Sequence, residues 1–495
     1  DAFELRQSFS PFEDLPDPSL ARMDFIFGDV SILFNGAHGE QRVFSLFRPE
    51  GESRRLFGHI KTFPALPEPA SFFVASARNK AFLSGGGSFA SLRYSTTESV
   101  RWEDDLDFEI TAAAIDGKFA NIALLDAESR IHIYKLDDPH PEAGWRAFFG
   151  KVWYEGASEP AYVWQSTGGS DDFEPKLSMT PLIFGSLKGT LYAMLFAVPI
   201  ALLAAVYTAQ FLQGSFKKIV KPTMEIMASL PSVVLGFLAA LWLAPIIETR
   251  VPSLLLIALA LPSAALLCAW GWNLLPLRAR NRVAPGSEYL LFTPVMLATL
   301  WAGWELGPAL ERAVFVVTDP ASGQRFADFR LWWPHITGTP FDQRNSLVVG
   351  FMMGFAVIPV IFTIAEDALS NVPPSLSAAS AALGASRWQT TRNVVIPIAS
   401  AGIFSALMIG FGRAVGETMI VVMATGNTPI MDWNIFSGMR TLSANIAVEL
   451  PEAPVHSTHY RTLFLGALVL FLLTFVINTF AEILRHHLRE KFKLI

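Results

Sequence analysis

The sequence predicts an all-α polytopic membrane domain preceded by an all-β external domain, and three observations carry that prediction. Residues 1 to about 175 are polar, acidic and rich in turn residues, whereas most later windows are dominated by Leu, Ala, Val, Ile and Phe. Seven runs in the second part approach the ~20 apolar residues needed to cross a bilayer. Every second connection between those runs is basic, as in a chain threaded back and forth through a membrane. Bulk composition agrees: of 495 residues, 52% are hydrophobic and 17% charged. That is too apolar for an ordinary soluble protein and too charged for a chain that is membrane throughout.

The first domain, 1–175, reads as strands between residues 20 and 140. Alternation of apolar and polar residues occurs at Val43 to Phe47, Ser91 to Tyr94 and Ser129 to Leu136. Each follows another apolar run and a turn, in VSILFNGAHGEQ, KAFLSGGGS and ANIALLDAES. The pair recurs at about 40 to 47 residues, the range of propeller blades. Three units cannot close a ring, so the domain is either part of a propeller-like array continued upstream or an open β-sheet. Gly85-Gly86-Gly87 reads as a hairpin turn, since no helical pattern follows it to cradle a phosphate. The chain starts at Asp1 without methionine, signal peptide or apolar first segment, which predicts a further span upstream.

The second domain, 176–488, holds the runs Ile183 to Phe211, Met224 to Ile247, Ser253 to Leu275, Tyr289 to Leu310, Leu347 to Asp367, Ala401 to Ala424 and Thr462 to Leu484. Pro199, Pro231 and Pro359 interrupt them and predict kinks. Tryptophans at the ends of several runs (Trp270, Trp272, Trp301, Trp304, Trp332, Trp333) suit the interface. Lys217, Lys218 and Lys221, then Arg278, Arg280 and Arg282, then Arg387 and Arg392, and finally Arg485, Arg489, Lys491 and Lys493 mark the cytoplasmic side. The residues 489–495 are then a cytoplasmic tail and the β domain lies outside. Cys268, the single cysteine, lies in an apolar run, so no disulfide framework exists within the chain.

Several function classes lack their signature. A net charge of −6 without a like-charge block gives no support for nucleic-acid binding. No GxxxxGK[ST] occurs, so the chain carries no phosphate-binding loop for ATP. No HExxH or Cys/His cluster predicts a metal, and His486-His487 reads as a basic membrane flank. No nucleophile elbow is present. The chain is therefore expected to be neither an enzyme nor a holder of a cofactor.

The loop 368–398, and Ser375 to Ile398 above all, is the most informative stretch. It has a small-residue amphipathic segment, a glycine and an apolar-proline stop, between two apolar runs. Lipid offers no partners to such a polar hairpin, so it projects into water, where an external motor can move it. Ala378-Ala379-Ser380-Ala381-Ala382-Leu383-Gly384, nine residues, then Val394-Val395-Ile396-Pro397 resembles the EAA loop of ABC importer permeases. That resemblance implies a type I ABC importer permease fold and a coupling helix docked on an ATP-hydrolysing subunit. Ala378, Ala379, Ser380, Gly384, Ala385, Arg387, Trp388 and Pro397 are the coupling residues it implies. Ala378 stands where the motif has glutamate. Small residues permit close helix approach, and Arg387, Gln389, Thr390 and Arg392 can pair with a partner. A surface hairpin without a partner is the alternative.

ALGASRW, GRAVGETM, LPSVVLGF, IPVIFTIAEDAL and the stretch Pro181 to Phe211 together resemble the PstC-type permease subunit of the phosphate-specific importer. The likeness covers about 181–247 and 345–485. Two departures stand out, a helical hairpin at about 253–310 and the large external domain. The hairpin adds an even number of spans and preserves the topology on either side. The resemblance implies an inner-membrane protein with a second permease subunit, an ATPase dimer and an external phosphate-binding protein as partners, besides the lipid bilayer. Arg413 and Glu417 are spaced i, i+4 on a span and are expected to share one helical face. Charges at that depth usually face a cavity, and Arg413 offers bidentate donors to a phosphate oxyanion. Glu417 would neutralise the arginine in an empty path; an ion pair that only fixes packing is the alternative. Glu366 and Asp367 close a span and are expected to contact an ATPase, pair with Arg387 or Arg392, or be solvated. Importers of another oxyanion (sulfate or molybdate) and a membrane-anchored sensor remain open as function classes.

Overall fold

A computed structural model describes residues 4–49, 51–169, 173–212, 214–280, 283, 288–318 and 324–492. The basic flanks Arg282 and Lys493 lie outside these residues, as do the side chains of Arg489 and Lys491. The chain forms two compact units, one of residues 1–181 with 453–464 and one of 182–452 with 465–495.

The first unit is built from three antiparallel meanders. The first joins β1 (Leu20–Phe25), β2 (Ser31–Gly36), β3 (Gln41–Phe47) and β4 (Leu56–Phe63) in sequence order. The second joins β5 (Phe72–Ala75), β6 (Ala81–Gly86), β7 (Phe89–Tyr94) and β8 (Ser99–Asp105), and the third β9 (Ile110–Ile115), β10 (Asn121–Asp126) and β11 (Ile131–Lys135). The three sequence repeats are the hairpins β2–β3, β6–β7 and β10–β11. The meanders do not close into a ring. Their alternation buries Leu33 and Val43, Leu83 and Leu92, and Ile122 and Leu124. A polar strut joins the first two sheets: Gln41 donates to Asn35 at 2.6 Å and to Ser84 at 2.9 Å, and the buried Arg93 donates to Gln41 at 2.6 Å. Of the glycine triplet, Gly85 and Gly86 are strand residues; only Gly87, at φ +60°, turns the chain. A short helix α1 (Trp145–Phe149) and the pair β12 (Trp164–Gln165) and β13 (Lys176–Leu177) complete the unit, into which Thr458 returns as a partner of His140 at 2.7 Å.

In the second unit α2 (Thr180–Gln210) leads to the amphipathic α3 (Gly214–Ala228), then α4 (Ser232–Leu238), a π-helical turn (Ala239–Leu243) and α5 (Ala244–Leu274). α6 (Leu277–Arg280), α7 (Tyr289–Val314), the hairpin β14 (Val316–Thr318) with β15 (Arg325–Ala327), α8 (Phe329–Thr337) and α9 (Ser346–Ser370) follow. α10 (Pro374–Ala382), α11 (Arg387–Thr390), a second π turn (Thr391–Val395), α12 (Ile396–Val415), α13 (Met419–Ala424), α14 (Leu442–Glu449) and α15 (Thr458–Phe492) end the chain. Among the described residues, six helical runs are long and apolar enough to cross a membrane: Thr180–Gln210, Ser232–Leu274, Leu290–Val314, Ser346–Ser370, Arg387–Val415 and Thr458–His487. The second expected run begins in α3; from Ser232 its remainder and the third run are one helical stretch, Ser232–Leu274, with a non-helical residue at Arg250 (φ −129°, ψ 21°). Pro199 and Pro359 lie inside helices, while Pro231 caps α4 and so separates it from α3.

Small residues bring the helices together. Ala193, Ala197, Ala201 and Ala205 form a fully buried i, i+4 stripe on α2. Facing it on α9, a Cβ on Gly350 would lie 2.7 Å from Tyr192 Cβ, and one on Gly354 3.0 Å from the Ala193 carbonyl. α12 meets α9 in the same way, since a Cβ on Gly410 would lie 2.5 Å from Ile361 Cγ1. In lipid, where burial of apolar surface drives little, such close backbone approach is what packing contributes.

Candidate functional site

The polar hairpin of the sequence is built from two short helices and a tight turn. α10 ends in a Schellman turn, with Gly384 N–H on Ala381 O at 2.9 Å and Ala385 N–H on Ser380 O at 3.2 Å. Gly384 is at φ +86°, which a glycine adopts without strain. Ser386 then caps α11 in a capping box with Gln389. Ser380 Oγ and Thr390 Oγ1, 2.9 Å apart, tie the two helices. Nothing on α10 is buried. Ala378, Ala379, Gly384, Arg387 and Trp388 are exposed, and Leu383 is 90% exposed beside them. Ser380 and Ala385 are half-buried; Ala385 and Arg387 line a groove with Phe211, Leu212 and Ser377.

Pro397 does not belong to this cluster. It opens α12, and the helix continues from α11 through the π turn rather than stopping at the proline. A proline lacks the N–H of the regular ladder and clashes with the carbonyl four residues back; the wider π turn absorbs that mismatch.

Arg413 and Glu417 are placed differently from expectation. α12 ends at Val415, Gly416 is its cap, and helix resumes only at Met419. The two charges therefore share no continuous helical face. Arg413 is half-buried and makes no hydrogen bond or ion pair among the described residues. Glu417 Oε1 instead accepts the Ile420 N–H of α13 at 3.4 Å, and its backbone carbonyl accepts Ser443 Oγ at 2.9 Å. The expected Arg413–Glu417 pair is absent because the break turns the carboxylate to the open end of α13, whose N–H groups lack partners.

Glu366 and Asp367 pair with neither Arg387 nor Arg392. Glu366 is fully buried, with Lys217 Nζ at 2.5 Å and Lys221 Nζ at 2.7 Å. Asp367 takes Lys221 at 2.7 Å. These two acids raise the lysine above its ordinary value, Asp367 first. A second pair escaped the sequence reading. Lys188, fully buried inside α2, holds Asp432 at 2.9 Å and Ser437 Oγ at 3.0 Å. Its signal was a lysine inside an apolar run, which needs a counter-charge. Among the described residues no cluster of His, Cys, Asp or Glu could hold a metal ion.

Residues 290–493 match the family described as binding-protein-dependent transport system inner membrane component. A protein of Mycobacterium tuberculosis called phosphate transport system permease protein PstC 1 is 32% identical over 211 residues, which are 42% of this chain and 61% of that protein. A Mesorhizobium japonicum protein, phosphate transport system permease protein PstC, is 30% identical over 240 residues, covering 48% of this chain and 72% of its own length. A Bacillus subtilis protein, probable ABC transporter permease protein YqgH, is 25% identical over 306 residues, 62% of this chain and 71% of that protein.

Proposed function

Since this chain belongs to the PstC-type permease family of binding-protein-dependent transport systems, a multi-pass inner-membrane subunit rather than a catalytic one, we propose that it carries inorganic phosphate inward in an ATP-driven importer. The observation that carries the substrate reading is Arg413: a guanidinium in the membrane part, beside a helix break, with no protein counter-charge among the described residues. An unneutralised arginine at that depth is costly unless an anion visits it, and its fork matches a tetrahedral oxyanion. The printed names of the mycobacterial and Mesorhizobium relatives support phosphate as that anion.

In this reading the exposed hairpin of α10 and α11 docks the ATPase, with Leu383 and Trp388 as apolar contacts and Ala378 and Ala379 allowing close approach. The basic flanks at Lys217, Lys218 and Lys221 support a cytoplasmic hairpin and an external β unit. The interruption at Arg250 supports division of Ser232–Leu274 into two spans, giving seven in a type I permease fold. A second permease, an ATPase dimer and an external binding protein complete the importer.

The test is uptake of labelled phosphate by the reconstituted complex. R413Q is expected to abolish uptake while the complex still assembles; uptake at the wild-type rate by an assembled R413Q complex refutes the role. Because a guanidinium does not distinguish tetrahedral oxyanions by shape alone, sulfate and molybdate serve as competitors. Inhibition stronger than that by unlabelled phosphate would transfer the reading to the other oxyanion.

A further inference from the structure

We infer that the Lys217–Lys221–Glu366–Asp367 cluster is a joint that makes the helix break at Gly416–Thr418 respond to movement of the exposed hairpin of α10 and α11. The inference rests on the ATP-driven reading above, and it assigns positioning residues that touch neither substrate nor nucleotide.

Two sets of helices meet at the break. α12, on its first side, is fixed to α9: a Cβ on Gly410 would come within 2.5 Å of Ile361, and Gly402 abuts Ala368. The hairpin joins the end of α9 to the start of α12 covalently, so its displacement moves both. α13, on the other side, is fixed to α4: a Cβ on Gly236 would lie 2.9 Å from the Met419 carbonyl and 3.2 Å from Ile420 Cα. Packing this close does not slide without a clash. α4 in turn continues α3 across only Ser229, Leu230 and Pro231.

Besides the packing of α4 and α13 on α9, the two sets are joined by charges. Lys217 and Lys221, one helical turn apart on α3, both reach Glu366 on α9, at 2.5 and 2.7 Å. Ser370 Oγ donates to Glu366 at 2.6 Å and accepts from Lys217 at 2.8 Å. Lys221 also takes Asp367 at 2.7 Å. Glu366 has no exposed surface, so its charge is tolerable only while the two lysines stay. α3 otherwise leans on the core through the half-buried Val220 and Met224. With the joint closed, the start of α3 follows the end of α9, and α4 draws α13 with it. With the joint open, only the packing of α4 and α13 on α9 carries the hairpin's movement to α13, and the angle at the break follows the motor less closely.

A reporter at the break tests this without depending on which anion is carried. Gly416 is exposed, at φ −85°, and a Cβ there would meet nothing nearer than 3.7 Å, so G416C is sterically accommodated. In a C268S background the full complex is labelled with a maleimide with and without ATP. We expect a change in labelling rate on ATP addition, a fall of that change by about fivefold or more in K221E and in D367K, and its retention in K221R, which keeps a cation against both acids. Lys221 is 35% and Asp367 54% exposed, so these variants place no charge in the core. An undiminished change in K221E and D367K overturns the inference, as does no ATP response in the parent or a K221R as unresponsive as K221E. Absence of phosphate uptake by the parent would count against the substrate reading alone and leave this readout intact.

Discussion

Glu174 illustrates what one buried group does to the β unit. Its Oε1 is buried without a hydrogen-bond partner, and burial pushes its carboxyl from the ordinary 4.5 up to about 7, against the pull of nearby Lys61. The folded protein therefore keeps a proton that the unfolded chain releases. Stability from this group is full below the unfolded value and is lost as pH rises through about 7. The window is worth at most roughly 3 kcal/mol. E174Q should remove that decline, so it should unfold at a higher temperature than the parent at pH 8 and at nearly the same temperature at pH 4.5, by calorimetry. An equal pH dependence in both proteins would refute it. Single charges were also the least legible part of the sequence. Lys188 and Glu366 stand out in apolar runs, but Lys188's partner is 244 positions away. No spacing rule reaches that far; only the packed helices bring the two together.

Elements whose ends are set by local chemistry could be read in advance. The hairpin of α10 and α11 is one: Gly384 and the Ser386–Gln389 capping box fix it within a few residues. G384V should cost about 1–2 kcal/mol, because a β-branched residue resists the left-handed region, and it should loosen the turn without disturbing the spans. Binding of the ATPase partner is expected to weaken roughly tenfold while helix content by circular dichroism stays unchanged; wild-type affinity would show that the turn does not shape the docking face. The break at Gly416–Thr418 was illegible for the opposite reason. Apolar periodicity runs through GRAVGETM on both sides, and glycine inside a membrane helix is no stop signal. Tertiary contacts from Ser443 and the close Gly236–Met419 approach accompany the break. Pro397 misled in the other direction, since a π turn carries the helix through it.

At the scale of the whole molecule, the chain forms two compact units, and residues 453–464 belong to the first of them, which no shift in composition signals. Thr458 bonds His140 and Glu142 there, and Leu463 is buried. Deleting residues 1–170 separates importer from sensor. An importer should keep ATP-dependent uptake at a reduced rate, whereas a sensor whose function resides in the β unit should lose its response entirely. The membership of 453–464 also sets an order of events in biosynthesis. Domains generally fold as units as the chain leaves the ribosome, amino-terminal first. Here the eleven strands of the three meanders emerge early, yet the segment that meets His140 is synthesised more than 300 residues later, the separation of the pair being 318. The β unit therefore waits, incompletely assembled, until nearly every span has been translated.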